Sequence, residues 1–208
     1  GFRIAMKDLE IRGAGQLLGS EQSGQIHAVG FDLYTRLLAQ AVEDVRESGD
    51  APVLLEESET TDITINLKLP ARIPVHYVED LATRLGLYQH LGRAGSPEDI
   101  AQVQEEMRDR FGSLPPEVHN LLYTVRVRVL AASAGVEAVN KEARSVAVRL
   151  RDDVGGAKGA FQRELGPHVR VGNRLLHLDT GKLDRPWGQA LLELLEGVAA
   201  FKERIVGV

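Results

Sequence analysis

From Ile100 to Val129 the apolar residues recur every third or fourth position, whereas at Val146, Val148 and Leu150 they recur every second. A period near 3.6 buries one stripe of a helix, and a period of two buries one face of a strand. A chain that switches between them must pack helices against a sheet. The helical part is clearly punctuated. Ser96-Pro97-Glu98-Asp99 reads as a helix start: a capping hydroxyl, proline in the first turn, and two acids near the positive end of the dipole. Ile100, Val103, Met107 and Phe111 form its apolar stripe, and Gly112 closes it. Pro115-Pro116-Glu117 opens the next helix, with Val118, Leu121, Leu122, Val125 and Val129 inward, and a further helix is expected over Asp80 to Leu91.

The strand signals lie on either side. Ile63, Ile65, Leu67 and Leu69 alternate with Thr64, Asn66 and Lys68, which predicts a half-buried strand stopped by Pro70. Val169 to Leu178 predicts a hairpin, with Gly172-Asn173 supplying the positive φ angles of a two-residue turn. Between the strand at 145–150 and this hairpin, a short helix is expected around Ala157 to Leu165. A final helix starts at Asp184-Arg185-Pro186, with Trp187, Leu191, Leu194, Leu195, Val198 and Ile205 on one face. The expected fold class is α/β in the broad sense, of the α+β type: mostly helical, with a small mixed or antiparallel sheet from strands near 63–69, 145–150, 168–171 and 174–178.

Upstream, Leu33, Leu37, Leu38, Ala41 and Val45 mark a helix after Gly30, ended by Gly49-Asp50-Ala51-Pro52. The polar, acidic stretch Glu56 to Thr61 reads as a linker. The 208 residues suffice for a domain of ordinary size and an appendage. With no initiating methionine the chain is expected to be an excised fragment. No stretch approaches the ~20 apolar residues that a membrane span needs. The absence of cysteine excludes disulfides, zinc–thiolate sites and a cysteine nucleophile, and is compatible with a cytoplasmic origin. The net charge of −5 lacks the basic excess of a free-standing DNA-binding domain.

No self-contained catalytic constellation emerges. Gly13, Gly15 and Gly19 give G-x-G-x-x-x-G, one residue too long for the dinucleotide fingerprint, and they follow a segment too charged for a central strand. There is no phosphate-binding P-loop; Gly155-Gly156-Ala157-Lys158-Gly159 lacks the spacing and reads as a flexible entry to a helix. His27, His76, His90, His119, His168 and His177 show no metal-ligand spacing, so no metal site is expected. Glu105-Glu106 and Asp152-Asp153 read as solvated surface charge, and no nucleophile elbow occurs. No cofactor site is expected.

The stretch Asp8 to Gly24, DLEIRGAGQLLGSEQSG, differs in kind. Its glycines imply tight bending, while Leu9, Ile11, Leu17 and Leu18 must be buried, so it reads as a rigid packed loop presenting Arg12 and Gln22. Arginine forks onto phosphate or carboxylate, and glutamine bridges a carbonyl and a donor. On residue types alone, pairing of Arg12 with Asp8 or Glu10 as a staple is an equal alternative.

This stretch resembles the second arm of the TRG motif ("translocation in RecG"), found in RecG and in bacterial transcription-repair coupling factors (Mfd). Ala14 stands where RecG usually has proline, as in the coupling factors, and Gln16 stands where the family usually has Asn or Glu. VGFDLYTRLLAQAVED (29–44), YVEDLATRLGLYQHL (77–91) and DRFGSLPPEV (109–118) resemble downstream stretches of the same family. The resemblance is dense over residues 1–125 and weaker beyond.

The resemblance implies three units: residues 1–30, the TRG motif at the tail of the second RecA-like motor lobe; 31–57, a connecting helix and linker; and 58–208, a C-terminal regulatory domain. It implies a parent that is an ATP-dependent translocase of helicase superfamily 2 on double-stranded DNA, using ATP and magnesium (Mg). Such a parent displaces stalled RNA polymerase and recruits UvrA, in the bacterial cytoplasm. The fragment itself would hold no catalytic centre. Arg12 and Gln22 match the family's motor-coupling residues, with Asp8 orienting Arg12 and Gly13, Gly15, Gly19 and Gly24 shaping the loop. The C-terminal domain would clamp the parent's N-terminal UvrB-like module and mask its UvrA-binding surface. Arg126, Arg128, Arg149 and Arg151 are candidate docking residues, against the reading of a solvated face. The competing readings are a stand-alone protein-interaction module with a purely structural glycine loop, and a small nucleotide-binding enzyme.

Overall fold

A computed structural model describes residues 63–206. In chain order the elements are β1 (Thr64–Asn66), α1 (Leu81–Arg93), α2 (Pro97–Phe111), α3 (Pro116–Ser133), β2 (Val136–Lys141) and β3 (Ser145–Leu150). A 3-10 turn (Gly155–Ala157) then leads into α4 (Lys158–Leu165), β4 (Val169–Val171), β5 (Leu175–Asp179) and α5 (Trp187–Val206). The five strands form one sheet in the order β1-β2-β3-β5-β4. β1 and β2 are parallel, and the remaining pairs are antiparallel. The fold is α+β with a mixed sheet, as the periodicities predict.

The buried side chains of the described residues fall into two clusters. One is helical: Leu87 and Leu91 of α1, Ile100, Val103 and Met107 of α2, and Val118, Leu121, Leu122 and Val125 of α3. The other covers the inner face of the sheet, where Val139, Val146, Val148, Leu176 and Leu178 meet Phe161 of α4 and Leu191, Leu195 and Val198 of α5. Helix α3 joins the two clusters. Its first half faces the helical cluster, while Val127 and Ala131 face the sheet. The stripe read from the sequence captured only the first of these faces.

The helix boundaries follow the capping chemistry. Ser96 Oγ accepts from the Asp99 N–H at 3.1 Å and Asp99 Oδ2 accepts from the Ser96 N–H at 3.0 Å, a reciprocal capping box. Gly112 ends α2 with φ 83°.

Two strand expectations need correction, and one strand was not expected. The strand expected over 63–69 pairs only at Thr64–Asn66, because Lys68 takes a left-handed φ of 55° and turns the chain before Pro70 is reached. Ile63, Ile65, Leu67 and Leu69 nevertheless all pack on the sheet core. Strand β2 was not anticipated. Its register shifts between Val136 and Ala138, so Glu137 is an extra residue and the alternation that would mark a strand is broken. In the hairpin, Val171 pairs with Leu176 and the Gly172 N–H donates to the Leu175 carbonyl at 2.8 Å, which centres the turn on Asn173-Arg174. Neither Gly172 nor Asn173 has positive φ. Glycine fits position 172 for another reason: a Cβ there would lie 2.8 Å from the Leu175 carbonyl oxygen.

Candidate docking surface

The TRG residues Asp8, Arg12, Gly13, Gly15, Gly19, Gln22 and Gly24 lie outside the described residues, as do the helix after Gly30, the acidic linker and His27. Among the described residues no charged side chain is buried and no group of three His, Asp or Glu is arranged to hold a metal ion. The perturbed groups have structural causes. Burial raises the Tyr77 and Tyr123 hydroxyls. Asp80 is lowered by hydrogen bonds from the Thr83 side chain and backbone, and Asp99 by those from Gly95 and Ser96. Both carboxylates cap helices.

The features suited to recognition lie on the outer face of the sheet, opposite the helices. Strand alternation sends Val169, Val171, Leu176 and Leu178 into the core and Arg170, His177 and Asp179 outward. Pairing aligns the outward residues in rows across the strands. Arg170 stands opposite His177, His177 opposite Ala147, Ala147 opposite Asn140, and Asn140 opposite Asn66. A groove of about 340 Å³ opens here, lined by Arg144, Ser145, Pro167, His168, Arg170, His177, Asp179 and Lys182. Its only acidic liner, Asp179, is already engaged: Oδ1 accepts from the Gly181 N–H at 3.0 Å, and Lys182 Nζ lies 3.6 Å from Oδ2.

The four candidate arginines do not form one surface. Arg128 donates to the carbonyls of Leu91 and Gly92 at 2.9 and 3.0 Å, a fastening of α1 to α3. The bulge in β2 aims Glu137 outward, and its carboxylate lies 3.6 Å from Arg149 and 3.5 Å from Arg174. Arg126 on α3 and Arg151 after β3 are exposed. Glu105 and Glu106 pair along α2 with Arg108 and Arg110, Asp152 lies 3.3 Å from Lys202, and Asp153 accepts from the Gly155 N–H. These contacts accord with surface charge. The groove residues Arg144, Arg170 and Lys182 were missed by the sequence reading. The signal was Val169-Arg170-Val171, whose alternation sets the arginine on the face opposite the core.

The TRCF domain family matches residues 67–156. The transcription-repair-coupling factor of Bacillus subtilis (strain 168) is 31% identical over 216 residues, covering 99% of this chain and 18% of the relative. That of Staphylococcus epidermidis is 38% identical over 181 residues, covering 83% of this chain and 15% of the relative. That of Haemophilus influenzae is 42% identical over 136 residues, covering 65% and 12%. The chain therefore spans less than a fifth of the length of these relatives. Among solved structures, a crystal structure of the C-terminal domain of transcription-repair coupling factor superposes with TM-score 0.57 at 18% identity, covering 71% of this chain and 99% of that one. At that identity the likeness speaks for the fold. Taken together, these matches establish that the chain belongs to the transcription-repair coupling factor family and corresponds to its C-terminal part.

Proposed function

We propose that residues 1–30 transmit ATP-driven motion of a motor to double-stranded DNA, and that residues 58–208 form a regulatory clamp on the parent's UvrB-like module. The observation that carries this reading is the Bacillus subtilis relative, whose alignment spans 99% of the chain. The glycine stretch and the described domain thus belong to one continuous segment of the family. Arg12 and Gln22 are the coupling residues in this reading. A packed loop passes on a lobe movement only where directed bonds hold it, and a forked cation and a two-sided amide supply them. The chain carries no catalytic centre of its own. ATP and magnesium act in the parent's motor, and RNA polymerase and UvrA are the parent's partners in the bacterial cytoplasm.

The test uses the full-length parent. Arg12→Ala is expected to retain ATP hydrolysis and lose translocation on duplex DNA. Unchanged translocation would return the loop to a purely structural role. Deleting residues 58–208 is expected to raise the parent's affinity for UvrA. Unchanged affinity, with no association between the deleted domain and the UvrB-like module, removes the clamp. ATP turnover by this chain alone would favour the nucleotide-binding enzyme instead.

A further inference from the structure

We infer that the groove on the outer face of β3, β5 and β4 is a receptor for a short acidic peptide segment of a protein partner, with Arg144 and Arg170 as its anchors. The inference needs only the described domain and is independent of the TRG and clamp readings.

Charge and geometry carry it. Arg170 leaves β4 on the face opposite the core, beside His177 of β5, and Ala147 of β3 completes the row. Arg144, in the turn before β3, lines the same groove. Neither guanidinium has a hydrogen bond or ion pair among the described residues. Lys182 is offset by Asp179, so the groove keeps an excess of two positive charges. At the other end of the same face the balance is different: Arg149 and Arg174 share Glu137. On this face of the sheet the two unpaired guanidiniums therefore lie in the groove, while those at the other end are paired.

Two arginines that fork onto planar anions in a concave polar site fit carboxylate side chains. A nucleic acid fits less well. Its affinity depends on how many phosphates are neutralised, and two unpaired arginines are few. Strand addition at β4 is closed, because Gln162 Nε2 donates to the Val169 carbonyl and Gln162 Oε1 accepts from the Val171 N–H. Recognition therefore runs through side chains, and the partner needs closely spaced Asp or Glu residues rather than a particular backbone conformation.

The probe is a fluorescein-labelled hexaglutamate peptide, titrated against the 208-residue chain at low salt and followed by anisotropy. Saturable binding is expected. The double variant Arg144→Ala/Arg170→Ala should weaken it about tenfold or more, as should Arg170→Glu. Arg108→Ala on α2 should leave it unchanged. Circular dichroism checks that each variant is folded. On the unaltered chain, peptide should shift the amide resonances of Ser145, His168 and His177 and spare those of α2. Absence of saturable binding, undiminished binding by the folded double variant, or tighter binding of a labelled DNA duplex would each overturn the assignment.

Discussion

The hydroxyl of Tyr123 donates to the backbone carbonyl of Gly188 across 2.8 Å, joining α3 to the first turn of α5. Burial pushes this hydroxyl far above the ordinary phenol range, so it stays a neutral donor at any pH the fold meets. The Tyr123 ring meets Trp187 edge-on at 6.1 Å, and a Cβ on residue 188 would lie 3.2 Å from the hydroxyl oxygen. The close approach therefore depends on the tyrosine and on the missing side chain together.

Tyr123→Phe keeps the ring contact and removes one part-buried hydrogen bond. It should cost about 1 kcal/mol, or roughly 3 °C in melting temperature for a domain of this size. Gly188→Ala should push the hydroxyl away and weaken the same bond, partly offset by the helix propensity of alanine, so its net loss should be smaller than that of Tyr123→Phe. Because both changes break one contact, the double variant should lose less than the two single losses added. Thermal denaturation of the four proteins checks this; strict additivity would show that the two residues do not act as a pair.

Asp99 makes stability depend on pH in a predictable direction. Hydrogen bonds from the Gly95 backbone, the Ser96 side chain and the Ser96 backbone hold its carboxyl below the ordinary range. A folded-state pKa below the unfolded one contributes stability that is present above about pH 4, the unfolded carboxylate value, and lost as pH falls through the folded value. Asp80, lowered first by the Thr83 hydroxyl, acts in the same sense. The gap in denaturation midpoint between the parent sequence and Asp99→Ala should therefore be widest at pH 6 and narrow toward pH 2. A gap of constant width would mean that the charged form is not what matters.

The helices were legible because their boundaries are written in local chemistry. Ser96 and Asp99 cap each other within four residues, Pro116 opens α3, and Gly112 closes α2, with no help from the rest of the chain. The strands were legible only where alternation survives, as in β3. The bulge at Glu137 hid β2, since an extra residue shifts the phase of every side chain after it. The hairpin was placed correctly but its turn was not, because glycine at 172 answers a close carbonyl rather than a positive φ. Recognition residues were the least legible. Arg128 and Arg170 are both arginines in regular structure, and only tertiary placement separates the one that fastens α1 from the one that faces solvent.

That separation can be measured. Arg128 donates to the Leu91 and Gly92 carbonyls in the last turn of α1, where a cation also meets the negative end of the dipole. Arg128→Met keeps an apolar stem and removes the donors, and should cost about 1.5–3 kcal/mol by urea denaturation. Arg128→Lys, which retains charge without the fork, should fall between. Arg126→Ala, two residues earlier and exposed, should stay within about 0.5 kcal/mol of the parent.

Gln162 protects the edge of the sheet. In β4, Arg170 turns its backbone groups toward β5, so the carbonyl of Val169 and the N–H of Val171 point away from the sheet. The Gln162 carboxamide meets both, donating at 2.6 Å and accepting at 3.0 Å, and so stands in for a neighbouring strand. An edge left open would invite pairing with another chain. Gln162→Leu, close in size, should cost about 1–3 kcal/mol for two unpaired backbone groups, and its hydrodynamic radius should grow with concentration. Gln162→Glu keeps an acceptor for Val171 but sets a carboxylate against the Val169 carbonyl, so it should lose stability while its charge limits association. Light scattering over a concentration series, alongside urea denaturation, separates the two effects. If Gln162→Leu matches the parent in radius at every concentration, the amide is a local fastening and not a guard against strand pairing.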